Sequence, residues 1–225
     1  GASYKDIKVG SCYYSDLTIF SFHPVKVITT AEGGIINTNN SSLANKLYKL
    51  RAHGITKNAN DFLYKHEGEW FYEQQDLGFN YRLSDLHAAL GISQMKRLEY
   101  FIKKRHILVK SYNDLLSKYP LQLPYCQAYN KSAHHLYVVK ISDGKYSRKE
   151  LFSFLRTANI GVNVHYIPIY KHPYYQKLGF SYKYLPNAEN YYNKAITLPL
   201  YPDLSIEQQK YIVSQIDLAM TCSLV

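Results

Sequence analysis

Ser21-Phe22-His23-Pro24-Val25-Lys26, running on into Ile28-Thr29-Thr30-Ala31-Glu32-Gly33-Gly34, is the stretch on which the fold turns. Just before it, residues 16–22 are apolar and β-branched at their centre, and read as a short buried strand. A loop bearing Lys26 follows, and residues 35–38 (Ile-Ile-Asn-Thr) read as a second short strand. The two strands close a hairpin-like unit around the lysine, with Glu32 and the two glycines shaping its turn.

Working outward, Ser41 or Ser42 is expected to cap a helix running to residue 53. Leu43, Leu47 and Leu50 lie at helical spacing, and Gly54 is the stop. Residues 55–79 are polar and aromatic without a clear period and read as a long loop. Ser84, with Asp85 behind it, opens a helix carrying Leu86, Ala89, Leu90 and Ile92, and a further helix covers 101–116. Pro120 and Pro124 mark a break, which divides the chain into 1–119 and a smaller domain, 120–225. The smaller domain reads as a strand over 136–141 and a helix opened by the capping box Ser147-x-x-Glu150. A strand over 162–166, a Pro- and Tyr-rich loop and a short helix led by Pro186 come next. A strand over 195–200 and a last helix from Ser205, boxed by Gln208, complete the chain. That succession is α+β, with helices packed on one face of a small sheet.

Composition narrows the classes. Of 225 residues, 46% are hydrophobic and 20% charged, the balance of a globular protein able to bury a core. No apolar run reaches the ~18 residues of a membrane helix, and the first residues lack the apolar region of a signal peptide. Cys12, Cys126 and Cys222 are few and far apart, which suits a reducing cytoplasm better than a disulfide framework, and none has the spacing of a metal site. The net charge of +10 is scattered; its densest cluster, Lys103-Lys104-Arg105, falls on the face of a helix rather than in a stripe fit for nucleic acid. The chain opens on Gly1 rather than Met, with a strand leading into the lysine loop, and so reads as cut rather than initiated.

Lys26 is the candidate for chemistry. A lysine that forms a Schiff base needs its nitrogen held within reach of an aldehyde carbon and deprotonated when it attacks. A short loop behind a buried strand supplies a fixed position and partial desolvation. Ser21, five residues earlier at the strand's end, places a hydroxyl where it can donate to a phosphate. By composition alone, however, a lysine after a strand is an ordinary solvated loop residue.

The quoted stretch resembles the lysine segment of the DegT/DnrJ family of fold-type I sugar aminotransferases. Three further stretches match that family in order: Arg51-x-His53-Gly54, Gly78-x-Asn80-Tyr81-Arg82-Leu83-Ser84, and His165-Tyr166-x-Pro168-x-Tyr170. The resemblance covers essentially the whole chain. It implies an α/β fold: the carboxy-terminal part of a fold-type I large domain over 1–119, followed by a small α+β domain over 120–225. It also implies pyridoxal 5'-phosphate (PLP) as cofactor, held by Lys26, which later shuttles a proton between substrate and cofactor. Ser21 would contact the cofactor phosphate or the bound sugar, and Asn80 would reach the neighbouring subunit's site in a homodimer. Asn163, Val164, His165 and Tyr166 match the stretch that contacts the sugar. Were that stretch a strand, Asn163 and His165 would share a face. Arg82 reads as securing its loop.

The resemblance further implies amino transfer from glutamate to a nucleotide-linked 4-keto-6-deoxy sugar, UDP-linked and of the pseudaminic-acid type, in the cytoplasm. It places the aspartate that pairs with the cofactor's pyridine nitrogen, and the phosphate pocket, before Gly1. The chain by itself is therefore expected to be inactive. A sugar dehydratase of the same fold carries histidine in place of the lysine, against Lys26. The alternative from another class is a non-catalytic regulatory or binding protein that kept the fold.

Overall fold

The computed structural model describes residues 1–65, 67–142, 147–180 and 185–221; Cys222 lies outside them. In chain order the first elements are β1 (Ser3–Tyr4), β2 (Ile7–Lys8), β3 (Thr18–Ser21), β4 (Gly34–Asn37), α1 (Ser41–Leu50), β5 (Ile55–Thr56), β6 (Glu73–Gln74) and α2 (Asp85–Lys96). There follow α3 (Leu98–Leu116), β7 (Leu121–Gln122), β8 (Asn130–Lys131), β9 (Tyr137–Ile141), α4 (Arg148–Thr157), α5 (Pro173–Lys177), α6 (Pro186–Lys194), β10 (Ala195–Leu198) and α7 (Ile206–Thr221). No helix among the described residues is long and apolar enough to cross a membrane.

The chain divides into two compact units, 1–98 with 129–131, and 99–128 with 132–225. The division thus falls at the start of α3, and the Pro120 break lies within the second unit. The physical reason is the inward face of α3: Leu108, Val109, Tyr112 and Leu116 belong to the same buried cluster as β9 and β10.

In the first unit, β3 and β4 pair antiparallel from Thr18 opposite Asn37 to Ser21 opposite Gly34, which is the expected hairpin. The strand is not buried, however: Ile19 is 73% exposed, and Ile35 and Ile36 on β4 are exposed as well. The cap of α1 also differs from the expectation. Asn40, not a serine, accepts the Leu43 amide, because Ser41 already has helical geometry. The expected stop is observed: α1 ends at Leu50, and Gly54 takes φ +70, where a Cβ would run into the Asp76 carbonyl. Residues 55–79 are not a plain loop, since β5 and β6 pair within them. Buried Glu73 ties that segment together by accepting from the Leu63 amide at 2.8 Å, the Tyr64 amide at 2.8 Å and Gln75 Nε2 at 2.7 Å. Burial pushes the Glu73 carboxyl up. The hydrogen bonds and the Lys49 charge outweigh it and hold the group below the usual carboxylate range. Ser84 caps α2 as the sequence implies.

The second unit contains a three-stranded antiparallel sheet in the order β10-β9-β7. β9 alternates, turning Tyr137, Val139 and Ile141 inward, whereas all four residues of β10 are buried. α4 begins at the expected box: Glu150 receives the Ser147 amide and Ser147 receives the Glu150 amide. The Ser205 and Gln208 box ahead of α7 forms likewise. Buried Arg105 on α3 donates from one nitrogen to the carbonyls of His134, His135 and Leu200, joining three parts of the unit. Residues 162–166 are not a strand. Asn163 and Thr197 make a single isolated bridge, and the chain then leaves the sheet.

Candidate active site

The residues named from the sequence fall in both units. Ser21, Lys26 and Asn80 belong to the first; Asn163, Val164, His165 and Tyr166 belong to the second.

Lys26 rides on a loop closed at its base by the Phe22 backbone. The Phe22 amide donates to Gly33 O at 2.9 Å, while its carbonyl accepts both the Thr30 amide at 3.0 Å and the Thr29 hydroxyl at 2.9 Å. Thr30 is 2% exposed and donates onward to Glu32 O at 2.7 Å. Within the loop, the Lys26 amide donates to His23 O at 2.9 Å, a β-turn for which Pro24 at the second position is pre-set. The Lys26 side chain is half-buried and makes no ion pair among the described residues. Ser21 is exposed at the end of β3, and its hydroxyl accepts the His23 amide at a long 3.4 Å, leaving its proton available. A hydroxyl at the strand's end and a half-buried lysine on a loop with a pinned backbone are groups that suit the lysine side of a PLP site.

Asn80 is exposed, and its backbone pairs with Ala52. The Phe79 amide donates to Leu50 O at 2.7 Å, and the Tyr81 amide to Arg51 O at 2.9 Å. The motifs at Arg51-x-His53-Gly54 and Gly78-x-Asn80-Tyr81 are thus partners that hold each other. Gly78 approaches so closely that a Cβ there would strike the Gly54 nitrogen. The clamp leaves the Asn80 amide outside it, without a hydrogen bond among the described residues.

In the second unit, Asn163 and His165 are brought together as the alternation suggested, although no strand does it. Asn163 Nδ2 lies 3.5 Å from His165 Nε2, and His165 Nδ1 lies 2.8 Å from the Thr197 hydroxyl. The His165–Tyr166 peptide is cis, and the two rings meet edge to face with centroids 4.5 Å apart. Val164 is half-buried and Tyr166 exposed. The far end of the motif is anchored by buried Tyr170 and by Lys171, which pairs with Glu189 at 2.6 Å and holds that carboxyl below its usual range.

Three residues that shape these groups were not singled out from the sequence. Thr29 and Thr30 sit inside the quoted stretch and could have been found by asking what satisfies the Phe22 carbonyl. Thr197 carries no local signal, since its partner is His165, 32 positions earlier.

Comparison with known proteins identifies the family of the chain. The model of the DegT/DnrJ/EryC1/StrS aminotransferase family matches residues 1–217. A UDP-4-amino-4,6-dideoxy-N-acetyl-beta-L-altrosamine transaminase of Campylobacter jejuni is 40% identical over 214 residues, 94% of this chain and 54% of the relative. Among solved structures, Helicobacter pylori PseC, described as an aminotransferase involved in the biosynthesis of pseudoaminic acid, superposes with TM-score 0.88 at 30% identity. The match covers 98% of this chain and 57% of that one. The sugar aminotransferase Spr1654 of Streptococcus pneumoniae, solved in its PMP form, gives TM-score 0.89 at 29% identity over 100% of this chain and 57% of its own; it is also known in a PLP form. The chain spans about half the length of the curated relatives it matches. With a family model aligned along all but its last residues, the chain belongs to the DegT/DnrJ/EryC1/StrS aminotransferase family.

Proposed function

We propose that the full-length protein is a PLP-dependent aminotransferase that moves an amino group from glutamate to a nucleotide-linked 4-keto-6-deoxy sugar. We further propose a UDP-linked sugar of the pseudaminic-acid type, a cytoplasmic setting and a homodimer. The observation that carries the reading is the half-buried Lys26 on its pinned loop after Ser21, in a chain whose residues 1–217 are matched by an aminotransferase family. The names of the Campylobacter and Helicobacter relatives support the sugar type.

PLP, the cofactor of this aminotransferase family, supplies an electron sink when bound. In this reading Lys26 would be the residue that holds it, and its Nζ would carry the proton that amino transfer moves. Ser21 donates its hydroxyl to the phosphate or to the sugar. The Asn80 amide is free to donate to the site of the neighbouring subunit. Asn163, Val164, His165 and Tyr166 bind the sugar, with polar edges from Asn163 and His165 and an exposed phenol from Tyr166. Residues 1–119 then correspond to the cofactor-binding part, and 120–225 to the smaller substrate-side domain.

The test is borohydride reduction of the full-length protein with PLP, followed by peptide mapping, together with an assay for 15N transfer from labelled glutamate to a UDP-linked 4-keto sugar. The label should sit on the peptide containing Lys26, and the sugar should gain 15N. Labelling of another lysine, such as Lys46, would refute the site. A protein labelled at Lys26 that aminates no keto-sugar would favour a non-catalytic binding protein of the same fold.

A further inference from the structure

We propose that Thr30 is the positioning residue of the Lys26 loop: its methyl, seated on Gly91 in the middle of α2, locates the loop on that helix and so fixes where Lys26 can reach. This inference rests on the reading of Lys26 as the lysine that holds PLP, and adds what keeps its loop in place.

The hydrogen bonds around Phe22 close the loop on itself, but they do not locate it in the unit. Nor does the hairpin that carries it, whose Ile19 is 73% exposed. A lysine that must meet one carbon of a bound cofactor needs its loop held against a second element. Burial shows where that happens. His23, Pro24 and Val25 at the tip are exposed, and Lys26 is half-buried. Between Ser21 and Gly34 only Ile28 and Thr30 are buried, 9% and 2% exposed. The loop is exposed at its tip and sunk into the unit at its end, most deeply at Thr30.

Two glycines leave the room that Thr30 fills. A Cβ at Gly91 would lie 2.8 Å from Thr30 Cγ2; one at Gly33 would lie 2.5 Å from Thr30 Oγ1 and 2.8 Å from Leu83 Cδ1. Glycine inside a helix weakens it relative to alanine. At Gly91 the threonine methyl takes the space that an alanine would need. Thr30 cannot turn aside for an added atom. Its amide donates to Phe22 O at 3.0 Å and its hydroxyl to Glu32 O at 2.7 Å, and a β-branched side chain held at its hydroxyl has no free rotamer. A methyl added at Gly91 therefore pushes on the Phe22–Thr30 closure that frames Lys26, not on a movable side chain. Because α2 is capped by Ser84, at the end of the segment carrying Asn80, the same contact ties the lysine loop to the helix into which that segment leads.

The experiment titrates the full-length protein with PLP, read by its visible band and by borohydride-trapped label on the Lys26 peptide, beside amide exchange in α2. Gly91→Ala should weaken PLP binding about tenfold, the scale of one overpacked contact. Its α2 amides should exchange no faster than in the wild type, since alanine favours the helix. Thr30→Ser, which removes the methyl and keeps the hydroxyl, should weaken binding about threefold, the scale of one deleted methyl group. In the double variant the new Cβ on the helix stands beside the space the methyl has left, and affinity should return to within about twofold of the wild type. The effect of Gly91→Ala thus reverses sign when the threonine methyl is gone. If Gly91→Ala binds PLP as the wild type does, or loses binding that Thr30→Ser fails to restore, the proposal is overturned while Lys26 stands as the PLP lysine. Should Gly91→Ala not fold, Thr30→Ser is compared with the double variant: tighter binding in the double variant is expected, and equal or weaker binding overturns the proposal. Label trapped on a lysine other than Lys26 in the wild type would strike the reading of the site, and this inference with it.

Discussion

In the second unit, nineteen buried apolar residues among those described form one cluster, drawn from α3, β9, α4, β10, α7 and the segments between them. In the first unit, Ile28 is the buried apolar side chain among the described residues, and neither α1 nor α2 buries any residue. Both units have antiparallel strand pairs and capped helices, so the difference does not lie in secondary structure. It lies in where apolar side chains go. β9 turns three of its five residues into the core. On α2, Leu86 is 85% exposed and Ile92 is exposed as well. The first unit is held mainly by hydrogen bonds, at Phe22, Glu73 and the clamp between residues 50–54 and 78–81. It is also the unit that carries Lys26. Burial holds the second unit together, and the first positions Lys26 with local hydrogen bonds.

The largest effect that would sharpen this contrast is a pair of substitutions with opposite consequences. Lys26→Ala in the full-length protein should abolish turnover while changing stability by less than about 0.5 kcal/mol, because no described residue depends on that side chain. Leu155→Ala, at a fully buried position of α4, should cost about 2–5 kcal/mol in denaturant unfolding. If the lysine variant proves the more destabilised of the two, the division of labour is wrong.

Hydrogen exchange offers the next test. Amides paired between β9 and β10 should exchange only through global opening, and those paired between β3 and β4 through local opening, by at least tenfold faster exchange. Equal protection would break the comparison.

A third test concerns acid. The folded Glu73 carboxyl is held below its unfolded value. Its contribution is therefore present above the unfolded value and is lost as pH falls through the folded one. Limited proteolysis within residues 61–75 should accelerate below the usual carboxylate range and leave the second unit intact. Glu73→Gln should show the faster cleavage already at neutral pH. Cleavage independent of both pH and the substitution would remove Glu73 as the tie of that segment.

The smallest effects should come from the caps. Ser147→Ala and Asn40→Ala should each cost about 1 kcal/mol of local helix stability. The loss at Ser147 should appear in the global transition of the second unit. That at Asn40 should appear only as fraying of α1, read by amide exchange at Leu43. A matched global loss for both would mean that the first unit is as cooperative as the second.

What could be read from the sequence depended on range. The lysine hairpin, the Gly54 stop, the Ser84 cap and both capping boxes involve partners a few positions apart, so neighbouring residue types determine them. The same locality explains a near miss. Asn40 and Ser41 are both good caps, and only the backbone angle decides between them. The strand over 16–22 looked buried because its residues are apolar, but apolar character states a preference and not the presence of a covering layer. Residues 162–166 show the reverse. Their alternation suggested a strand, and the contact of Asn163 with His165 arises instead from a single bridge to Thr197.

By itself the sequence determined the family, through ordered motifs along the chain, and with it the lysine, hydroxyl, amide and sugar-contact residues to examine. It also determined the helices and turns whose signals are local. Only the tertiary structure decided which apolar faces are covered, that α3 belongs with the second core, that Glu73 ties the Leu63 and Tyr64 amides to Gln75, and that Thr197 meets His165. Each of those depends on groups brought together from distant positions. Their pairing is set by the free energy of burying and satisfying them at once, a quantity no short window of residues contains.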